Sequence, residues 1–395
     1  MEAYLLVFGL LFLFSFSSFC LKKTSFGVLL PLCLCFFLAV LFCSVKNDLI
    51  GPDTIEYHKY FNSVQNASFT NLFSLRMEIG FTFFTKFVSI FSKSFTFYNF
   101  VFYFIVWGGF ALFSFAFSEA PSACFSLIFI FSLQFALTAY RQTLAVSMIA
   151  IAMALFKICK KKFTSCILFA VFFILGLSFH FSTIACGVIP VCYLLTKKYK
   201  INPYLCCGFF VAFVFGSRCI YYLIADFTST AYAPFIRNSL PSTSLMAFFV
   251  FLLGYFFNCS PFFQIKNENV CFDGVENMQR IKPRCSVSPV GSFLKNQLSK
   301  RTTGEDLFLN TGILLSLVAS CVMSFSLITT IITRIYVFFE APLSMVIINT
   351  ISNRSKRGTR IFGFLSVAVL AVLYFYVSLL RSGYASFYLP YETIF

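Results

Sequence analysis

The sequence predicts an all-α polytopic membrane protein of about 12 transmembrane helices, with a further interfacial helix on the outer surface. Three observations carry this. Hydrophobic residues make up 59% of the 395 positions and charged residues only 11%, where a soluble domain carries roughly 25% charge. Mean hydropathy is +0.87. The apolar residues gather into runs close to the roughly 20 residues a helix needs to cross a hydrocarbon core, and short basic loops separate them. A net charge of +16 would point to nucleic acid in a soluble chain. Here the cations sit between apolar runs, where they set topology, and no nucleic-acid partner is expected.

In chain order the spans fall at residues 2–20, 27–45, 97–117, 123–140, 142–157, 163–179, 181–196, 204–225, 245–264, 306–330, 335–351 and 361–380. The first reads as a retained span, because Glu2 replaces the basic start of a signal peptide and no small-residue cleavage site follows. Residues 1–264 form an N-terminal membrane bundle with an outer loop at 46–96, and residues 306–395 form the C-terminal membrane helices of the same integral domain. Between them, residues 265–305 carry mixed charge, Pro283, Pro289 and no sustained periodicity, which reads as a cytoplasmic loop. Inside the outer loop, Phe81, Phe84, Phe87 and Phe91 recur at helical spacing over residues 79–91. That stretch is too short to span comfortably, so it reads as an interfacial helix that lies over the membrane as a lid.

Most of the 16 cysteines lie in apolar runs, where a thiol acts as a small hydrophobe. Cys271 and Cys285 share a polar loop without a nearby histidine or CxxC spacing, so neither a metal nor a cofactor is expected. Loop lysines and arginines number twenty on one side of the drawn topology and nine on the other. The richer side is cytoplasmic by the positive-inside rule, which turns both termini outward.

The stretch from residue 139 to 182 organises the outer face. Two apolar segments meet at the basic knot Lys157, Lys160, Lys161 and Lys162, so their far ends share the opposite membrane surface. One end carries Arg141 and Gln142 and the other His180, one of two histidines in the chain. Further outer candidates are Asp53, Glu56, Tyr57, His58, Tyr60, Glu78, Arg218, Asp226, Arg334, Glu340 and Arg381. Arg141, Arg334 and Arg381 occur where outward-ending helices stop, on the side depleted of cations. Guanidinium forks bind phosphate oxygens in bidentate fashion and stabilise a departing diphosphate. Asp53 or Glu78, brought over by the lid, would serve as general base for a hydroxyl. His58 reads as a solvated loop residue, and Arg218 either pairs with Asp226 or lines the cavity.

The runs G-P-D-T-I-E-Y-H-K-Y (51–60), M-E-I-G (77–80), Y-R-Q-T-L-A-V-S-M (140–148), S-F-H-F-S (178–182), R-I-Y-V-F-F (334–339) and the closing L-P-Y-E-T-I-F resemble, in order and over nearly the whole length, the EpsG family of Wzy-like polysaccharide polymerases. The resemblance implies a bacterial inner-membrane enzyme that moves a glycan from undecaprenyl diphosphate onto another lipid-linked repeat unit, for an exopolysaccharide, capsule or O-antigen. A flippase and a chain-length regulator would be its partners. By likeness, Asp53 and Tyr57 match the outer-loop motif, Glu78 the E-x-G motif, Arg141 and Gln142 the R-Q motif, His180 the F-H-x-S motif and Arg334 the late R-x-Y-x-F motif. The long polar loop at 265–305 departs from the pattern. Two other classes compete: a flippase or transporter of lipid-linked oligosaccharide, which would need cations along a path across the membrane, and a membrane O-acyltransferase, whose histidine arrangement is not found here.

Overall fold

The computed structural model describes residues 2–20, 25–199, 202–227, 242–258, 307–324, 335–354 and 357–381, with 386, 388, 389 and 391 near the C-terminus. These residues are mostly helical, and no strand is found among them. Seven described helices are long and apolar enough to cross a membrane: Phe26–Ser44, Phe95–Phe117, Pro121–Thr138, Tyr140–Ile158, Lys162–Phe179, Ile335–Ser352 and Arg357–Leu380. Shorter apolar helices cover Glu2–Ser17, Ile79–Phe91, Pro203–Gly216, Met246–Phe257 and Leu307–Met323. Seven long helices among the described residues is fewer than the twelve spans drawn from the sequence.

The helices are α1 (Glu2–Cys20), α2 (Ser25–Ser44), α3 (Thr54–Asn66), α4 (Ile79–Phe91), α5 (Phe95–Phe117), α6 (Pro121–Thr138), α7 (Tyr140–Ile158), α8 (Lys162–Phe179), α9 (Val188–Lys198), α10 (Pro203–Phe227), α11 (Ser242–Asn258), α12 (Leu307–Ser324), α13 (Glu340–Ser352) and α14 (Arg357–Arg381). They fall into two compact units. One holds residues 1–22, 27–188 and 334–395, and the other 23–26 and 189–333. The 265–305 loop lies outside the described residues. In the smaller unit α12 packs on α10 and α11, and Thr196 and Thr311 share a hydroxyl hydrogen bond of 2.9 Å.

Helix α6 is the spine of the larger unit. Pro121 starts it, at a position where the missing N–H costs nothing, and apolar or small residues then bury nearly its whole circumference. Lipid is as apolar as leucine, so small residues and interhelical hydrogen bonds hold such helices together. Ser15 of α1 donates to Ser122 O at 3.0 Å and shares a 2.7 Å bond with Ser126. Gln134 donates to Phe375 O of α14 at 3.0 Å, and Ser132 donates to Glu340 of α13 at 2.5 Å. Asn349 of α13 donates to Phe117 O at 2.9 Å and accepts from Glu119 N at 2.8 Å, which closes the open carbonyl end of α5.

Two stretches fold differently from the sequence reading. The span drawn at 181–196 is a 3₁₀ segment, Phe181–Gly187, followed by the short α9. Thr183 explains the break, since both its amide and its hydroxyl bond His180 O, at 3.1 and 2.7 Å, and compete with helical pairing. In the outer loop, residues 54–66 form α3, whose buried side Thr54, Tyr57, Phe61 and Val64 follows helical spacing. Helix α4 covers 79–91 as expected, and its one charge is turned inward. Lys86 donates to Val64 O, Gln65 O and Ala67 O at 3.2, 3.0 and 2.7 Å and so caps α3.

The chain reaches α3 through Gly51, whose φ of 91° favours glycine. A Cβ there would lie 2.3 Å from Leu137 O. Gly51→Ala is therefore expected to cost roughly 1–3 kcal/mol, read as a lower unfolding midpoint in mixed micelles, whereas Gly9→Ala, in open space, leaves the midpoint within about a degree.

Candidate functional site

Three side chains distant in sequence meet beside α4. Glu78 immediately precedes that helix and leaves its own cap unfilled. Its Oε2 instead accepts from an Arg141 terminal nitrogen, and its Oε1 lies 2.8 Å from His180 Nδ1. Their side chains keep 25% (Glu78), 31% (Arg141) and 19% (His180) of their exposure, so the group is half-buried but open to a ligand.

Local chemistry explains each position. Arg141 occupies the first turn of α7, which begins at Tyr140 after the single residue Ala139. The Tyr140 ring is fixed between Tyr57 and Phe102, stacked at centroid distances of 4.6 and 4.4 Å, and its hydroxyl donates to Asn99 at 3.0 Å. His180 sits where α8 stops, in extended backbone. The E-x-G motif unites Glu78 with Gly80, where a Cβ would come within 2.2 Å of Ser178 Oγ and 2.8 Å of Ser178 C. Gly80 thus lets the start of α4 touch the end of α8, which brings Glu78 to His180.

Burial alone would raise the Glu78 carboxyl. The bonds from His180, from its own backbone and from Arg141 outweigh burial and hold its pKa at about 2, below the ordinary 4.5. An ionised carboxylate requires a donor at His180 Nδ1, which leaves Nε2 with the lone pair in the neutral ring. Arg141 Nε is buried and has no partner among the described residues.

Of the other expected residues, Tyr57 is 6% exposed and lies beside the Arg141 guanidinium, while Gln142 is 2% exposed within α7. Asp53 is exposed at the start of α3 and makes no capping bond, and no contact brings it to Arg141 or His180. Arg334 lies outside the described residues, as do the side chains of Arg218, Asp226 and Arg381. Glu56 pairs with Lys59 at 2.8 Å on the exposed face of α3, and Tyr60 shares a 2.6 Å bond with Thr82. Glu340 is 6% exposed within α13, away from solvent. His58 is not simply solvated. It bonds Asp48 through Nδ1 at 2.5 Å and stacks on Phe95 at 4.3 Å.

Lys46 was missed. It reads as one of the outer loop cations, yet it is 1% exposed, and burial pushes its pKa down to about 7. The one sequence signal is that Lys46 directly follows the apolar run that ends Cys43-Ser44-Val45. Among the described residues no group of three or more His, Cys, Asp or Glu gathers at one point.

A family model described as the EpsG family matches residues 28–393. No curated protein and no solved structure matches the chain.

A carboxylate with a depressed folded-state pKa lends stability that is complete above its ordinary value and is lost as pH falls through the folded one. Acid titration of thermal unfolding should therefore show wild type losing an increment between pH 4.5 and about 2 that Glu78→Gln lacks. Parallel curves for the two proteins across that window would contradict the ion pair.

Proposed function

Since the chain belongs to the EpsG family of Wzy-like polymerases, we propose that it is a glycosyltransferase that joins undecaprenyl-diphosphate-linked repeat units at the outer face of a bacterial inner membrane. The observation that carries this reading is the bridge from Arg141 through Glu78 to His180. It sets an anion-binding cation beside an oriented imidazole.

In the proposed inverting, metal-independent step, an acceptor sugar hydroxyl attacks the anomeric carbon of the donor glycan. The bond from that carbon to the diphosphate oxygen breaks, and the diphosphate leaves with the electron pair. His180 takes the hydroxyl proton at Nε2, and the Glu78 carboxylate stabilises the imidazolium through Nδ1. A carboxylate held near pKa 2 is a weak base, which favours His180 over Glu78 as the proton acceptor. The Arg141 guanidinium, on a side chain that keeps 31% of its exposure, is proposed to hold the diphosphate, with Arg334 and Arg381 as further candidates. Tyr57 lies beside the Arg141 guanidinium, and Gln142 stays in the proposal as the second residue of the R-Q motif. Asp53 remains an acceptor-side candidate on its exposed helix start.

The outward face of α4 fits a lid on the lipid surface, because Phe83, Phe87, Ile90 and Phe91 are exposed while Lys86 is turned away. In the proposal this lid covers the emerging lipid-linked substrates.

Purified protein in nanodiscs, given an undecaprenyl-diphosphate repeat unit, tests the proposal. Wild type should build ladders of longer glycans, and Arg141→Ala and His180→Ala should each slow chain growth by roughly 10²-fold or more, leaving single repeats. Ladders of wild-type length from both variants at equal protein level would overturn the site. Translocation without elongation would make the chain a flippase, and dependence on an acyl donor would make it an acyltransferase.

A further inference from the structure

The break between α6 and α7 is one residue long, and it places Arg141. A helix end leaves carbonyls without helical partners, and here they are satisfied from several directions. Phe135 O accepts from Ala139 N at 2.8 Å and from the Thr143 hydroxyl at 3.4 Å. Ala136 O accepts from the Tyr103 hydroxyl at 3.3 Å. Leu137 O accepts from Lys46 Nζ at 3.1 Å, and the Thr54 hydroxyl lies 3.3 Å from it while donating over 2.6 Å to Ile50 O.

Lys46 is 1% exposed, whereas Lys86, which also makes three bonds to carbonyls, is half-buried. The Lys46 ammonium donates to Ile50 O, Thr54 Oγ1 and Leu137 O at 2.8, 2.6 and 3.1 Å, which uses all three of its N–H groups. Among the described residues no carboxylate bonds it, and Asp48 acts on it only through space. A buried ammonium without an ion-pair partner is costly, and what offsets the cost here is the negative end of α6 and the Tyr140 ring, 5.2 Å away. Its three acceptors belong to the loop after α2, to the first turn of α3 and to the last turn of α6. One side chain therefore ties the strand of chain that carries Tyr57 to the helix end from which Tyr140 and Arg141 emerge. Gly51 permits the close approach, since any Cβ there would meet Leu137 O.

We propose that Lys46 is a positioning residue for donor binding: by fixing α3 against the α6–α7 break it sets the Arg141 guanidinium, between Tyr57 and Glu78, in the orientation that receives a diphosphate. The inference rests on the reading of Arg141 given above. Lys46 itself touches no substrate in this account, and Thr54 acts with it.

The test compares wild type, Lys46→Met and Thr54→Val in nanodiscs, by binding of undecaprenyl diphosphate as probe and by elongation kinetics with varied donor. Lys46→Met should bind the probe about tenfold more weakly and raise the donor KM by a similar factor, and Thr54→Val should shift both in the same direction by a smaller factor. A merely structural role lowers the active fraction, and so the apparent kcat, with KM and probe affinity unchanged; that result overturns the inference. If Lys46→Met does not fold, Thr54→Val decides, and wild-type KM and affinity in that variant overturn it. Wild type that binds the probe but makes no polymer would remove the polymerase reading and leave the Lys46 comparison standing on probe affinity. Wild type that binds no probe overturns the Lys46 inference.

Discussion

One carboxylate holds the candidate site together. Arg141 and His180 come from opposite ends of the α7–α8 pair, and Glu78 comes from a separate helix, yet both ring and guanidinium bond the same side chain. Half-buried charges are costly unless paired, and Glu78 supplies the partner for the Arg141 guanidinium. With Glu78 ionised between them, the guanidinium stays charged and the imidazole keeps one orientation. An anion that approaches this group therefore finds a preorganised cation, and a hydroxyl finds a lone pair on Nε2.

Much of the remaining structure can be understood as support for that pairing. Gly80 brings α4 against α8, Gly51 brings the α2–α3 loop against α6, and Lys86 ties α4 to the end of α3. The aromatic stack Tyr57, Tyr140 and Phe102 gives the first turn of α7 a rigid bed. Beneath it, α6 is held by serine, glutamine and asparagine bonds among α1, α5, α13 and α14, as expected where lipid removes the hydrophobic drive between helices. The end of the unit that holds Glu78, Arg141 and His180 is thus a small polar structure resting on an apolar one.

The helical class, the spans around 27–45, 97–117 and 361–380, and the short helix at 79–91 were legible because hydropathy and helical spacing report them directly. Arg141 and His180 were legible as a pair because the lysine knot at 157–162 fixes which helix ends share a face. What was not legible depends on contacts between distant segments. Residues 54–66 look polar, and their buried stripe emerges only when α4 and α5 are present to cover it. The 181–196 stretch is apolar enough for a span, and a threonine bonding back to His180 O breaks it. Lys46 and His58 look like solvated loop charges, since no local pattern announces that one will cap a helix end and the other will stack on Phe95. Glu78 was read as a candidate base, and no local pattern announces that its carboxylate bonds both Arg141 and His180.

The most direct test of this account is a double-mutant cycle on elongation by the nanodisc-embedded protein, with Glu78→Gln, His180→Asn and the pair combined, scored as kcat/KM. If Glu78 acts through His180, each single change lowers kcat/KM substantially and the double variant is no worse than the more damaging single one, because groups that act as a unit are non-additive. Losses that simply multiply in the double variant would show that the two residues act independently and would contradict the account.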